Sequence, residues 1–208
     1  MKKVLIGGIG NVLLGDDGVG PYVARLLAAR YEFDAGVEVA DLGTPALDLI
    51  DQISAKDAAI LIDSIETDSA PGTLVLYRKT DIVRHCPAVR MDPHSPALVD
   101  TLLSADFFGI APADVLLVGI QAESFEAGCS LSRSVAASVD KAITEVLSEL
   151  ERLGVEHRLR EDPADIDTWW TTHDNLSPLS ARSAFIPSAK PREHCGRVYG
   201  NRNRRSLM

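Results

Sequence analysis

The sequence has few cysteines, no excess of positive charge and no long apolar segment. Cys86, Cys129 and Cys195 are odd in number, widely spaced and without a CxxC pair, which argues against a disulfide framework and favours a reducing cytoplasm. The net charge of −9 argues against nucleic acid or an anionic membrane surface as a partner. No apolar stretch is long enough to span a bilayer. We therefore expect a cytoplasmic protein whose partners are proteins or small ligands.

The size of the chain, 208 residues, suits one full-sized domain with a buried core and is short for two. Its basic and apolar first residues imitate a secretory signal. Asn11, Asp16 and Asp17 interrupt the apolar run, however, and no small-residue cleavage site follows. We therefore interpret the run as a buried first strand.

Apolar runs that alternate with helical periodicity indicate the fold class. This alternation predicts a doubly wound α/β fold, in which a mostly parallel, twisted sheet of about five strands carries helices on both faces. A strand at residues 73–77 has the aromatic and β-branched content of an edge or antiparallel strand. The other predicted strands are 4–8, 37–40, 58–63 and 115–120, and the predicted helices start near Pro21, at Ala46, after Ser95-Pro96 and at Ser132.

The chain changes character beyond Gly154. Periodicity disappears, Trp169 and Trp170 stand side by side, and Ser, Pro and Arg accumulate. We predict one domain over residues 1–154 and an appended, disordered tail over residues 155–208. The paired tryptophans could dock on the domain or on a partner.

Two carboxylates and an imidazole follow or lie close behind different predicted strands. Asp17 precedes the first helix, Asp63 ends a buried strand, and His94 lies between two prolines that restrict its backbone. Loops at one edge of an α/β sheet can converge on a ligand from distant parts of the chain. Together the three side chains could hold a divalent metal and leave positions open for water or substrate.

Each candidate ligand also has a purely structural interpretation. Asp16 and Asp17 could complement the dipole of the helix that follows. Asp63 could be a loop carboxylate that caps a turn, and His94 could be an ordinary surface histidine. The loop that starts at Gly8 also resembles a dinucleotide-binding motif, but it lacks the third glycine, and its carboxylates would repel a pyrophosphate.

A turn at residues 41–44 lies at the same predicted edge of the sheet. We expect Gly43 to adopt a positive φ or to allow close approach of another backbone. Thr44 is expected to cap the helix that follows, whether or not the turn has a second role.

These motifs, taken together and in order, resemble the hydrogenase maturation proteases. The resemblance runs from about residue 3 to residue 154. It rests on Gly8-Ile9-Gly10-Asn11-Val12-Leu13-Leu14-Gly15-Asp16-Asp17-Gly18-Val19-Gly20, Asp41-Leu42-Gly43-Thr44, Asp63, Pro93-His94 and Gly119-Ile120-Gln121-Ala122-Glu123-Ser124.

The resemblance implies an endopeptidase that removes the C-terminal extension of a nickel-iron hydrogenase large-subunit precursor after nickel insertion. It also implies that Asp17, Asp63 and His94 are the catalytic and metal-binding residues, and that they recognise nickel carried by the precursor. The remaining candidates for substrate contact are Asp16, which is also a candidate general base, Asp41, Gly43 and Thr44.

The sequence departs from the family pattern in three places. Asp17 stands where the family commonly has the longer Glu, and Ser95-Pro96 follows His94 where many relatives carry Gln. The tail beyond residue 154 lies outside the resemblance.

Two rival functions remain open at this point. One is a non-catalytic nickel checkpoint or chaperone for the same precursor, which would use the same ligands. The other is an aminopeptidase-like or spore-type protease, which would cut without nickel in the substrate. The motifs suggest no Ser-His-Asp or Cys-His pairing, so we favour hydrolysis assisted by a metal over a covalent acyl-enzyme. The sequence does not separate recognition of the metal from Lewis acidity.

Overall fold

The computed structural model of the chain describes residues 1–45, 48–85, 98–128 and 130–166. Seven strands and six helices are found in this part of the chain. The strands are β1 (Val4–Ile9), β2 (Tyr31–Phe33), β3 (Val37–Gly43), β4 (Ala58–Ile65), β5 (Leu74–Arg78), β6 (Asp114–Gln121) and β7 (His157–Leu159). The helices are α1 (Val19–Arg30), α2 (Asp48–Ile53), α3 (Lys79–His85), α4 (Leu98–Phe107), α5 (Arg133–Ala136) and α6 (Val139–Arg152), with a 3-10 turn at Gly15–Gly18 before α1.

Five of the strands form one sheet in the order β3-β1-β4-β6-β5. β3, β1, β4 and β6 are parallel, and β5 runs antiparallel to β6 at one edge. All eight residues of β4 are buried, because β4 lies between β1 and β6 and both of its faces are covered. The antiparallel edge strand confirms the expectation drawn from its aromatic and β-branched residues.

Helices cover both faces of the sheet. Val4 and Ile6 of β1 belong to a core cluster with residues of α1 and α6. Leu5, which lies between them in the sequence, belongs to a second cluster with residues of α2, α3 and α4. Successive side chains of a strand point to opposite faces, so the two clusters fill the two sides. The predicted doubly wound α/β fold is confirmed.

The predicted helix starts agree with the structure where it describes them. Pro21 lies in the first turn of α1, where a missing amide N–H has no intrahelical partner to lose. The described part of α2 begins at Asp48. The predicted starts at Ala46 and after Ser95-Pro96 lie outside the described residues.

The single long helix predicted from Ser132 onward is two helices. The Ser132 side chain accepts a hydrogen bond from the Val135 N–H (3.3 Å) and caps only the short α5. The chain then turns at residues 137 and 138, where the buried Ser138 hydroxyl donates to the Val135 carbonyl (2.7 Å). Val135 and Val139 are still four residues apart and both buried, so the apolar periodicity continues across the break.

The predicted domain boundary at residue 154 is too early. Gly154, with φ +71°, ends α6 and reverses the chain, and β7 then pairs antiparallel with β2. Val155 is buried and Ile166 packs against the core cluster of α1 and α6. Residues 155–166 therefore belong to the folded domain. Residues 167–208, with Trp169 and Trp170, lie outside the described part of the chain.

Within the residues that the structure describes, we find no helix with the length and apolar character needed to cross a membrane.

Candidate functional site

Two of the three predicted ligands come together at the carboxyl edge of the sheet. Asp17 lies in the 3-10 turn between β1 and α1, and Asp63 lies near the end of β4, the neighbour of β1. Both carboxylates are buried, with 4% of Asp17 and 1% of Asp63 exposed. His94, the third predicted ligand, lies outside the described residues.

Close packing of α1 on the sheet brings the two carboxylates together. A Cβ atom on Gly20 would lie 2.2 Å from the Ile9 carbonyl oxygen and 2.3 Å from that of Ile62. A Cβ atom on Gly8 would lie 2.2 Å from the Gly20 carbonyl oxygen. These separations are shorter than van der Waals contact, so only glycine allows the helix to start directly above the ends of β1 and β4.

The hydrogen bonds of Asp17 fix its orientation. Oδ2 accepts the Asn11 N–H (3.0 Å), and Oδ1 accepts the Ser64 hydroxyl (2.8 Å). Ser64 is itself fully buried and follows Asp63 directly in β4. The Ser64 hydroxyl thereby connects the carboxylate of the first loop to the strand that carries the second.

Only one of the two carboxylate oxygens of Asp63 accepts a hydrogen bond from the described residues. Its Oδ1 accepts the Ser64 N–H at 2.7 Å, but Oδ2 is buried without a hydrogen-bond partner among the described residues. Burial raises the pKa of Asp63 well above its usual value, the negative charge of Asp17 raises it further, and the Ser64 N–H offsets part of the rise. Two buried carboxylates that repel each other are unfavourable unless a proton or a cation offsets their charge.

The carboxylate pair fits part of a divalent metal site. Carboxylate oxygens are suitable ligands for divalent cations, and the unpartnered Oδ2 of Asp63 is an oxygen available for coordination. The described residues contain no cluster of three or more His, Cys, Asp or Glu side chains that could hold a metal ion. The pair could supply two ligands, and a complete metal site would need at least one more from outside the pair.

Asp16 does not join this pair. Its Oδ2 accepts the N–H groups of Glu123 and Ser124 (2.8 and 3.0 Å), and its Oδ1 accepts the N–H of Ser132 (2.6 Å). All three donors belong to the chain between β6 and α5. The sequence suggested Asp16 as a substrate contact and general base, whereas the structure gives it the role of holding this segment against the turn that carries Asp17.

The turn at residues 41–44 forms one wall of a cleft that also includes Asn11, the residue whose N–H donates to Asp17. The cleft has a volume of about 270 Å³ and is lined by Gly10, Asn11, Val12, Arg25, Asp41, Gly43 and Thr44. Asp41 forms an ion pair with Arg25 (2.9 Å) and accepts the Gly43 N–H (3.1 Å). Gly43 has φ +58°, as predicted, and Thr44 is exposed. The capping role predicted for Thr44 involves residues 46 and 47, which lie outside the described part of the chain.

Three residues that support the site were missed from the sequence. Ser64 and Asn11 hold Asp17. Ser64 directly follows the candidate Asp63, and Asn11 lies within the motif of residues 8–20, but the sequence analysis gave neither residue a role. Gln121, at the end of β6, accepts hydrogen bonds from the N–H (2.7 Å) and hydroxyl (2.6 Å) of Thr67 and so orders the loop after β4. No local pattern pairs these two positions, because they lie 54 residues apart.

Comparison with known proteins identifies the family. The family model described as hydrogenase maturation protease (HycI) matches residues 21–149, more than half of the chain. The chain belongs to the hydrogenase maturation protease family. This family is one of endopeptidases, which places the protein among the hydrolases.

Curated relatives and solved structures agree with this assignment. The hydrogenase expression/formation protein HoxM of Azotobacter vinelandii is 36% identical over 200 residues, which cover 96% of this chain and 92% of that protein. The hydrogenase 2 maturation protease of Escherichia coli K12 is 33% identical over 163 residues, covering 76% of this chain and 97% of that protein. The structure of the hydrogenase maturating endopeptidase HybD from E. coli matches with a TM-score of 0.71 and 32% identity, covering 77% of this chain and 99% of that one.

The match to HoxM corrects one expectation about the tail. An alignment that covers 96% of this chain must extend well beyond residue 154. The prediction that the resemblance ends there is therefore wrong, and the C-terminal segment of this maturation protease is shared with at least one relative.

Proposed function

We propose that this protein removes the C-terminal extension of a nickel-iron hydrogenase large-subunit precursor after nickel insertion. In this proposal Asp17, Asp63 and His94 recognise nickel that the precursor carries. The observation on which it rests is the buried, unpartnered Oδ2 of Asp63 beside the carboxylate of Asp17. Family membership supports proteolysis, and the names of the relatives support a hydrogenase precursor as the partner.

The two carboxylates explain why an arriving cation would be bound tightly. In its absence, burial and the charge of Asp17 favour a proton on Asp63, since they raise the pKa of Asp63. A divalent cation replaces that proton and neutralises both carboxylates, and the Ser64 and Asn11 hydrogen bonds hold Asp17 in place for it. Binding should therefore release a proton and weaken at low pH.

Hydrolysis in this proposal needs no covalent intermediate on the described residues. Nickel is a Lewis acid and can polarise a carbonyl group or favour deprotonation of water. Among the described residues, Ser64 is the one hydroxyl that bonds to the carboxylate pair, and it donates its proton to Asp17 Oδ1 at 2.8 Å. Asp16 accepts three N–H groups, so its oxygens are engaged and it is not placed to act as the general base.

The decisive experiment compares nickel-loaded and nickel-free precursor. Purified protein is incubated with each form, and the mass of the precursor is followed by mass spectrometry. We expect loss of the C-terminal extension from the nickel-loaded form alone. An unchanged mass of the nickel-loaded precursor would favour a non-catalytic nickel checkpoint. Equal cleavage of both precursor forms would favour a protease that does not recognise nickel.

Variants test the residue assignment in the same assay. Asp17→Asn and His94→Ala should abolish processing while the circular dichroism spectrum stays that of the wild type. Asp140→Asn is the matched control, because the Asp140 side chain is 85% exposed and lies on α6. Processing at the wild-type rate by either site variant would contradict the assignment of that residue.

A further inference from the structure

An apolar surface loop connects β1 to the turn that carries the buried carboxylates. Val12, Leu13 and Leu14 follow one another in this loop, and none of them is buried. Leu13 is 64% exposed. A run of three apolar side chains, one exposed and two partly exposed, is unfavourable for solubility unless it serves a purpose. Residues 11–14 are called the apolar loop below.

Hydrogen bonds hold the apolar loop in one conformation. The Leu14 N–H donates to the Asn11 carbonyl (3.0 Å), which closes a tight turn, and the Leu13 N–H donates to Asn11 Oδ1 (3.0 Å). The Leu13 carbonyl accepts the Gly128 N–H at 2.9 Å. Both backbone polar groups of Leu13 are therefore satisfied inside the protein, and its side chain is the part presented to solvent.

The apolar loop is connected directly to the candidate site. The Asn11 N–H donates to Asp17 Oδ2 (3.0 Å), and the Leu14 carbonyl accepts the Asp17 N–H (3.0 Å). Asn11 and Val12 also line the cleft formed with the turn at residues 41–44. A protein that delivers a peptide bond to Asp17 and Asp63 therefore approaches within reach of Leu13.

We propose that the apolar loop is a docking surface for the hydrogenase precursor, with Leu13 as the anchoring side chain. The occupant is an apolar patch of the folded precursor next to the segment that is cut, since residues 9–15 carry no charge that would select an acidic or basic surface. The inference rests on the proposed function and names where its partner binds. A rigid loop loses little conformational entropy on docking, which favours its use as an anchor.

A second exposed apolar cluster lies elsewhere and provides a comparison. Phe107, 85% exposed, stacks edge-on against Phe108 at the end of α4, with ring centroids 5.3 Å apart. This end of α4 leads to Asp114, the first residue of β6, so it lies at the amino edge of the sheet. The candidate site lies at the carboxyl edge. A precursor held at the site by its cleaved segment does not need the Phe107 cluster.

The test is the affinity for nickel-loaded precursor, measured as Kd by calorimetry and as KM in the processing assay. Burying a leucine side chain contributes enough to change an affinity by about tenfold or more. We expect Leu13→Ala to raise Kd and KM by about tenfold with little change in kcat, and Leu13→Met to stay near the wild type. Leu159→Ala is the matched control, because Leu159 is also 64% exposed but lies on β7.

The outcomes separate this inference from the proposed function. A wild-type Kd for Leu13→Ala, or a lower kcat with unchanged KM, would overturn the docking surface. A rise in Kd for Phe107→Ala but not for Leu13→Ala would show that the precursor docks at α4, and would also overturn the proposed docking at the apolar loop. If the wild type binds precursor without cutting it, the protease function fails while the comparison of Kd values still decides the docking surface. If the wild type does not bind, both are overturned.

Discussion

Replacing Asp16 with alanine should detach the segment between β6 and α5 from the turn that carries Asp17. The Asp16 carboxylate is buried and accepts three backbone N–H groups, from Glu123, Ser124 and Ser132, at 2.6 to 3.0 Å. Alanine removes all three acceptors at once. It leaves three donors in a partly buried position with no replacement from the protein.

The expected loss follows from the number and kind of these hydrogen bonds. A hydrogen bond to a charged group contributes about 1.5–3 kcal/mol to stability, and water entering the partly buried position recovers some of the loss. We expect Asp16→Ala to lower the free energy of unfolding by about 3–5 kcal/mol, near the upper end for single substitutions. Asp16→Asn keeps one oxygen but places an amide donor against an N–H group, so we expect a loss of about 1.5–3 kcal/mol.

Urea unfolding of the wild type and the two variants measures these differences. Asp140→Ala is the control, since its ion pair with Arg30 at 3.2 Å is exposed and should contribute about 0.5 kcal/mol or less. Processing by Asp16→Ala should also slow, because Asp17 is the next residue and loses its support. If the stability of Asp16→Ala lies within about 1 kcal/mol of the wild type, the three hydrogen bonds do not hold this segment as we argue.

Asp63→Asn should stabilise the protein at pH 8, because burial and the charge of Asp17 raise the pKa of Asp63 in the folded state. Between the unfolded and the folded pKa of Asp63, the folded state binds more protons than the unfolded state, so the stability of the wild type falls as pH rises. The stabilisation by Asp63→Asn should therefore vanish below the unfolded pKa of ~3.9. A stabilisation in urea unfolding that does not change with pH would contradict this reasoning. Gly20→Ala should destabilise the protein by about 2–4 kcal/mol because its Cβ would lie 2.2 Å from a strand carbonyl oxygen, and an unchanged urea midpoint would show that α1 can move. Removing residues 155–208 should lower the thermal midpoint because it deletes β7; a midpoint equal to that of the wild type would support a domain boundary at residue 154.

The fold was predictable because its signals are local. The buried residues of β1 and β4 form short apolar runs, and such runs separated by helical periodicity specify a parallel sheet covered on both faces. The predictions of the helix after Ser132 and of the domain boundary failed because the local sequence pattern does not mark these features. Val135 and Val139 keep helical spacing across a turn, and β7 is a three-residue strand whose pairing with β2 no periodicity reveals.

The candidate site was predictable only in part. Asp63 could be found because it ends an apolar run at the edge of the sheet where ligands bind. Ser64 and Asn11 were missed because their function depends on distances to Asp17 that the sequence does not contain. The role of His94 stays a prediction, since it lies outside the described residues.

The sequence by itself determined the five strands of the main sheet and the presence of acidic residues in the loops at one of its edges, because these depend on neighbours within one turn or strand. The resemblance selected Asp17 over the adjacent Asp16 as a ligand, but only the tertiary structure gives the physical reason for the difference. Asp16 meets N–H groups more than 100 residues away in the chain, while Asp17 faces Ser64 and Asp63 on β4. The function of each carboxylate is set by the partners that folding brings to it, and a local pattern carries no information about them.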